Sequence, residues 1–587
     1  ATLLQAWANH AIKLSKERQW DSRAVDRAIH AVQEILDNIQ LLHEEREQAS
    51  ELPHAKTYQF VMDMFSKLAD NAAKRNDLEQ SRRYANQACE LLQTLQQQHH
   101  QQSVNNGHPK PILVHYNTVL AAFRRSKQPE KVEKLFKEMM TTEDEDAKPD
   151  IQSFTTLMAS YASSKNSKHA GEKADSLLKI MQEYGMAPNI QTYSNYVNAW
   201  AVTAAETTRN QRRHQNSNHK RNHRTILKRA DSVVKEWRQE FDLTPDTYVY
   251  TNLLKLYSNC DETEKTVQLL DSWLGEYDRS QDPSLKPNAI SFTPVLAALA
   301  KAKQAQECHG LFVRARDEYG ISPNKYLYAT VLEAFAQSDS SIASEKALTF
   351  FNEMRFVDRV QPSKFAWTNM IKAISKHGRL EEAQALLEEM ITDKRAVKPS
   401  AYTFGAVLFG WSRSNRPDAP ERATILLQRM QELYDSGTIR DQPNIYCYTS
   451  VLSCIAQAKT PGAGKRAEEL LQEGMKRYKF EATQAAIHTV MNAYANDGDW
   501  AKVLSYYHFL QEQSHTNPQM TPDAFTLRIL WKAITTTSNL SNDDKDHTKL
   551  RISKDFAKWN VRLSRDMKQD LQRIEGRTND AKIKATN

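Results

Sequence analysis

Short polar side chains recur at two fixed places along this chain. One set follows a proline: Asp150, Asn189, Asp246, Asn288, Asn324 and Ser400. The other sits directly behind an aromatic residue: Asn117, Thr155, Ser194, Thr251, Thr293 and Thr368. Aspartate can only accept hydrogen bonds, whereas an amide or a hydroxyl can both donate and accept, so such an array could read the polar edges of a ligand. The residue types have a second use. Proline suits a helix boundary or first turn, and Asp, Asn and Ser are good N-caps, so the residue after each proline could serve only to start a helix. The residue types alone leave both uses open.

Another concentration of chemistry is basic. The stretch "TTRNQRRHQNSNHKRNHRTILKR", residues 207–229, holds Arg209, Arg212, Arg213, Lys220, Arg221, Arg224, Lys228 and Arg229 and no acid. It reads either as a disordered, solvated loop or as an arm that clamps a nucleic-acid backbone and orders on binding. Its histidines, His214, His219 and His223, lack the cysteine or carboxylate partners of a metal site, and no metal is expected. Catalysis is not expected either. "PGAGKRA" at 461–467 lacks the GxxxxGK[ST] of a phosphate loop, with Arg466 where Ser or Thr is required, and no HExxH or GxSxG occurs. No H-x-E with C-x-x-C follows, which excludes a deaminase. No cofactor or small-molecule substrate is implied.

These side chains must be positioned by a repeat. Aligned on the aromatic residue, units begin near 55, 113, 151, 190, 247, 289, 325, 364, 401, 445, 484 and 524, most of them about 36 to 44 residues long. The first half of a unit carries the aromatic and an apolar run, as in Tyr116, Val119, Leu120 and Phe123. The second half carries one apolar stripe at helical spacing: Val132, Leu135, Phe136 and Met139, then Ala174, Leu177, Leu178 and Met181, and later Ala383, Leu386, Leu387 and Met390. One helical hairpin cannot bury such a stripe, so neighbours must stack into a solenoid.

Composition agrees with an all-α protein. The 587 residues include only 15 glycines, 40% are apolar and 26% charged, and the net charge is +7, so any nucleic-acid contact must rest on local patches. Five scattered cysteines give no disulfide framework and fit a reducing compartment. No apolar run is long enough to span a membrane. The segment "QQQHHQQSVNNGHPK", near 97–110, is expected to be a mobile polar insertion. The tail from 541 is expected to be an acidic linker, "SNDDKD", followed by one capping helix with Phe556, Trp559, Leu563, Met567, Leu571 and Ile574 near one side. The start, "LLQAWANHAIK", looks like the interior of a unit, so the chain is expected to begin inside a repeat.

The strings "LVHYNTVLAAF…VEKLFKEM…KPD", "IQSFTTLMASYA…ADSLLKIMQEYGMAPN" and "FAWTNMIKAISKHGRLEEAQALLEEM…VKPS" resemble the pentatricopeptide repeat family. The resemblance covers residues 55 to about 530. It implies a right-handed superhelical α-solenoid of helix-turn-helix repeats with no appended catalytic domain. Residues 1–54 would be a degenerate repeat and 55–112 another with an insertion. Five well-formed repeats would occupy 113–150, 151–189, 190–246, 247–288 and 289–324. Divergent ones would follow at 325–363, 364–400, 401–444, 445–483 and 484–523, with a partial repeat and capping helix over 524–587.

In that family the fifth and last residues of a unit select one RNA base and the second packs between bases. The resemblance therefore implies a uracil-type pair in Asn117 with Asp150 and a guanine-type pair in Ser194 with Asp246. Adenine-type pairs would be Thr155 with Asn189, Thr251 with Asn288, and Thr293 with Asn324. The implied preference is 5′-UAGAA-3′. Val114, Gln152, Gln191, Tyr248 and Ile290 would lie between bases, and Thr368 with Ser400 would favour a purine. Gln59 with Ile112, Ala329 with Ser363, Gly405 with Asn444, Thr449 with Thr483 and His488 with Asp523 match no defined pair. Arg125, Lys301, Lys376 and Arg413 would meet phosphate. Three functions follow as alternatives: a non-catalytic single-stranded-RNA-binding factor in mitochondrial (or plastid) transcript processing, stability or translation; a structural subunit of an organellar ribosome or other ribonucleoprotein, held on ribosomal RNA and neighbouring proteins; or a protein-binding scaffold.

Overall fold

The computed structural model describes residues 2–16, 22–44, 55–101, 110–163, 169–214, 223–229, 231–232, 245–393, 397–537, 540–558 and 561–586. Among these residues the regular structure is helical, with no strand. The chain divides into two compact units, Ala1–Ala298 and Leu299–Asn587.

Each unit is a stack of helical hairpins. In the first, leading helices run Ala55–Lys74, Leu113–Arg125, Ile151–Ser163, Ile190–His214 and Thr247–Asn259. In the second they run Lys325–Gln337, Lys364–Lys376, Ala401–Arg413, Ile445–Ala458, Gln484–Asp497 and Ala524–Thr536. The leading helices Leu113–Arg125 and Ile151–Ser163 in the first unit, and Lys364–Lys376 to Gln484–Asp497 in the second, each touch the leading helix on either side, their own trailing helix and the trailing helix before them. Leading helices thus form one layer and trailing helices wedge into it from one side. The apolar stripes make that layer cohere: Val132, Leu135, Phe136, Met139, Ala174, Leu177, Leu178 and Met181 are all buried, as are Ala383, Leu387 and Met390. Truncating one such buried Leu or Met to Ala costs about 2–5 kcal/mol.

Polar rungs tie successive leading helices together. The amide of Asn195 donates to the carbonyl of Thr155 (3.2 Å), Asn252 to Ser194 (3.1 Å) and Asn369 to Ala329 (3.2 Å). A second rung lies near the far end, where Asn259 donates to Ala201 (2.9 Å) and Asn496 to Ala456 (2.6 Å). The turn inside many of the hairpins contains a left-handed residue. Asn76, Lys127, Asp261 and Lys303 occupy that place at φ of 56° to 65°, while Gly378 and Gly498 do so at 80° and 75°. Tight hairpins therefore coexist with a low glycine content.

Three expectations are corrected. The polar stretch at 97–110 is helical up to residue 101, within Leu78–Gln101, where Gln98 accepts a bond from the Tyr58 hydroxyl (2.9 Å); residues 102–109 lie outside the described residues. The basic stretch is not a loop at its ends. Helix Ile190–His214 continues into it, residues 223–229 are helical, and Ile226 and Leu227 are buried. The acidic "SNDDKD" is not a linker but the start of helix Asn542–Lys558, because Ser541 caps it and Asp543 and Asp544 meet the positive end of its dipole. A separate helix, Arg565–Thr586, follows, so the tail forms two helices; Phe556, Met567, Leu571 and Ile574 are buried, and Trp559 lies outside the described residues.

Helices pack tightly at Gly410, where a side chain would not fit. A Cβ on Gly410 would lie 2.7 Å from Leu380 Cδ2 and 2.9 Å from Ser375 Cβ, whereas one on Gly310 would meet nothing within 4 Å. In urea denaturation Gly410→Ala is expected to lose about 1–3 kcal/mol. Gly310→Ala, inside the exposed face of helix Ala305–Asp317, is expected to gain about 0.5–1 kcal/mol.

Candidate nucleic-acid interface

The residue after each proline is an N-cap. Asp246 Oδ1 accepts from the amide of Val249 (2.9 Å), Asn189 Oδ1 from Thr192 (2.9 Å), Asn288 Oδ1 from Ile290 and Ser291 (2.9 and 3.1 Å), and Asn324 Oδ1 from Tyr326 and Leu327 (2.9 and 3.0 Å). Asp150 does the same for Ser153 (2.8 Å) and Ser400 for Thr403 (3.4 Å). Capping uses one oxygen of the side chain and leaves the rest of it at the helix mouth. From there the leading helix turns about 100° per residue, so its fourth residue enters the core while its second and fifth share the opposite face.

The structure brings several of the paired residues together. In the first unit Asn117 Nδ2 donates to Asp150 Oδ1 (3.1 Å), and Ser153 Oγ lies 2.7 Å from Asn117 Oδ1 and 2.9 Å from Asp150 Oδ1. The same hydroxyl bridge recurs. Ser291 Oγ stands 3.2 Å from Thr251 and 3.3 Å from Asn288, and Thr403 Oγ1 stands 2.9 Å from Thr368 and 3.0 Å from Ser400. Other pairs are not joined by a hydrogen bond among the described residues. Thr155 turns to the carbonyl of Gln152 (3.0 Å), and Ser194 Oγ accepts from Asn252 (3.0 Å). Thr293, in the first unit, donates to the carbonyl of Ala289 (2.9 Å), while Asn324 belongs to the second unit. The five second residues stand in solvent: Tyr248 is 73% exposed and Ile290 70%, and Val114, Gln152 and Gln191 are exposed too.

Sequence reasoning missed the equivalent row in the second unit. Tyr326, Phe365, Tyr402, Tyr446 and Phe525 are the second residues of their leading helices and all are exposed large aromatics. The signal is in the sequence, an aromatic directly behind the first residue of each of these units. A cavity of about 970 Å³ lies among Phe365, Tyr402, Phe409, Lys372, Arg413 and Thr368. A second, of about 470 Å³, runs between Tyr402 and Tyr446 where Gly405 carries no side chain.

The candidate phosphate ligands differ in how far the scaffold already holds them. Lys376 donates to the carbonyls of Gln337 and Ser338 (both 2.8 Å) and to Asp339 (2.7 Å), which secures the end of the preceding leading helix. Lys376 and Lys303 hold the Asp339 carboxyl down to about 2. Arg125 reaches Ser66 Oγ (3.0 Å) and lies 3.9 Å from Asp70. Lys301 is exposed, and so is Arg413, whose guanidinium sits 5.9 Å from the Phe409 ring. Lys372, exposed beside the larger cavity, was not anticipated. In the basic stretch Arg224 is exposed, while Lys220 and Arg221 and the side chains of Arg212 and Arg213 lie outside the described residues. His223 is no ligand-like group: it is buried, with Nε2 3.1 Å from Thr208 Oγ1. No metal-binding cluster of His, Cys, Asp or Glu exists among the described residues, all five cysteines are free, and no described helix is long and apolar enough to cross a membrane.

Three family models match the chain: a PPR repeat family at residues 362–413, a PPR repeat at 114–141 and a pentatricopeptide repeat domain at 140–200. A chloroplastic pentatricopeptide repeat-containing protein of Arabidopsis thaliana is 24% identical over 249 residues, 37% of this chain and 30% of that one. The mitochondrial 15S rRNA processing factor CCM1 of Yarrowia lipolytica is 24% identical over 255 residues, 42% of this chain and 30% of its own. The match thus spans about a third of these relatives' length. Among solved structures, the pentatricopeptide repeat protein PPR10 from maize aligns with all of this chain and 72% of its own at 18% identity and a TM-score of 0.45.

Capping and ligand contact can be separated at Asp150. Asp150→Ala is expected to lower unfolding free energy by about 1 kcal/mol, and Asp150→Asn, which still caps, to leave it within about 0.5 kcal/mol. Chemical denaturation of the two variants checks this.

Proposed function

Because the chain belongs to the pentatricopeptide repeat family, we propose that it is a non-catalytic single-stranded-RNA-binding protein of organellar RNA expression. The observation that carries this reading is the shared face of the leading helices. There a capped Asp, Asn or Ser, the fifth residue and an exposed second residue recur together, with Asn117 and Asp150 in direct hydrogen bond. Unstacked bases expose their Watson–Crick edges to such short side chains and their faces to apolar ones. The first unit holds four of the five pairs behind the 5′-UAGAA-3′ preference, and so most of the sequence preference. The second adds affinity through its aromatic row, since stacking on an aromatic ring tolerates any base. A mitochondrial or plastid setting follows the names of the two curated relatives. Processing, stabilisation or translation of a transcript would each use the same face.

One observation favours the second reading, a structural subunit of an organellar ribosome or similar particle. Arg209, Arg224 and Lys228 are exposed on helices whose Thr208, Ile226 and Leu227 are buried, basic groups suited to folded RNA. Co-sedimentation with ribosomal particles that persists at high salt would favour it over release with one transcript.

Anisotropy titration of the full chain is expected to show tighter binding to an RNA containing 5′-UAGAA-3′ than to one containing 5′-UUCUA-3′; equal binding refutes the base assignment. Replacing Thr251→Asn with Asn288→Asp should turn the fourth preference from adenine to uracil by about tenfold. In the second unit, Phe365→Ala with Tyr402→Ala should weaken binding to either RNA by about tenfold or more without changing their ratio. Lys372→Gln with Arg413→Gln should flatten the log–log salt dependence by about 1.4.

A further inference from the structure

The ninth residue of a leading helix lies one turn beyond the fifth, about 6 Å further along the same face. In two places it is a lysine bonded to the ninth residue of the preceding leading helix. Lys255 Nζ donates to Asn198 Oδ1 (3.0 Å) in the first unit, and Lys532 Nζ donates to Asn492 Oδ1 (2.8 Å) in the second. Both lysines are half-buried, and neither has a carboxylate within ion-pair distance among the described residues.

An ammonium group carries three donors and a full charge. The asparagine oxygen accepts one of those donors and neutralises none of the charge. A charge withdrawn from water ordinarily has a charged partner, because its desolvation is otherwise uncompensated. Burial accordingly draws both lysines below their usual range, and the nearby Lys459 adds to the effect at Lys532. The thirteenth place of the leading helix is different. There Lys376 is surrounded by two carbonyls and Asp339, and Arg125 by Ser66 and Asp70. The fold already answers those two cations and leaves Lys255 and Lys532 unanswered, each held in position by an amide.

We propose that Lys255 and Lys532 are phosphate-binding residues for an RNA strand lying along the leading helices, an assignment that rests on the RNA-binding reading above. A backbone phosphate supplies the missing negative charge and accepts the donors that Asn198 and Asn492 leave free. Such a contact is the same whatever the base, so these residues add affinity, and salt dependence, to every sequence.

The test is anisotropy titration of the full chain with the RNAs containing 5′-UAGAA-3′ and 5′-UUCUA-3′ across a salt series. Lys255→Gln and Lys532→Gln should each flatten the log–log salt dependence by about 0.7 and leave the ratio between the two RNAs unchanged. Lys255→Arg and Lys532→Arg, which keep the charge, should keep the wild-type slope. Lys173→Gln, which removes a lysine already paired with Glu133 (2.8 Å), should keep it as well. The two sites lie on separate helices, so if one glutamine variant does not fold, as far-UV circular dichroism would report, the other decides alone. A wild-type slope in the glutamine variants, or a slope flattened equally by Lys173→Gln, overturns this site alone. A lower urea midpoint with an unchanged slope shows a structural rung and also overturns it. A wild-type chain that binds neither RNA overturns the RNA-binding reading and this site with it.

Discussion

One short contact governs much of this molecule: the side-chain oxygen behind each proline accepting an amide of the helix that follows. It ends one hairpin, sets the first turn of the next and fixes the rotation of the leading helix. With rotation fixed, Tyr116, Tyr193, Tyr250 and Tyr328 enter the core, and the residues one place on and two places back are left on the opposite face. The cap residue stays at the mouth of that face, where Asp150 joins the fifth residue of the preceding leading helix directly and Asn288 and Ser400 do so through a hydroxyl on the helix they cap. Under the proposed RNA-binding reading, folding and recognition share these side chains.

The two units divide the chemistry unevenly. In the first, polar pairs dominate and two of the five second residues are glutamines, poor stacking partners. In the second, Ala329 and Gly405 replace the fifth residue with almost nothing, and Tyr326, Phe365, Tyr402 and Tyr446 stand exposed instead. Loss of polar pairing there coincides with gain of aromatic surface and with cavities at Gly405 and beside Lys372. Aromatic stacking tolerates any base, whereas a buried hydrogen-bonding group rejects the wrong one, so under the proposed RNA-binding reading the units would contribute affinity and selectivity in different proportions.

Much of this was legible in the sequence because cap and aromatic are local signals. Leading helices start at Leu113, Ile151, Ile190, Thr247, Ala289, Lys325, Lys364, Ala401, Ile445, Gln484 and Ala524, each one residue behind its cap position. What was hidden depended on contacts distant in the chain. The rungs of Asn195, Asn252 and Asn369 look like ordinary surface amides until the carbonyl about 40 or more residues earlier is beside them. Lys376 has the spacing of a phosphate ligand, yet three oxygens of the preceding hairpin surround its ammonium. Polar composition disguised the helical ends of the basic stretch, where Thr208 is buried with its hydroxyl beside the carbonyls of Ala204 and Asn259 and His223 Nε2. "SNDDKD" misled for the opposite reason: acids that suit a solvated linker suit a helix N-terminus equally well.

The left-handed turns have a consequence for how this chain has room to change. A side chain with a Cβ in that conformation costs roughly 1–2 kcal/mol relative to glycine, and Asn76, Lys127, Asp261, Lys303 and Lys459 each carry it. The expense is spread over many hairpins, each in contact only with its neighbours, so relief at one turn need not disturb the others. The fold thus holds an undrawn reserve of stability, distributed one turn at a time. Such a reserve lets the helix mouths drift among poorer caps while the stack stays folded, which leaves recognition freer to diverge than the scaffold that presents it.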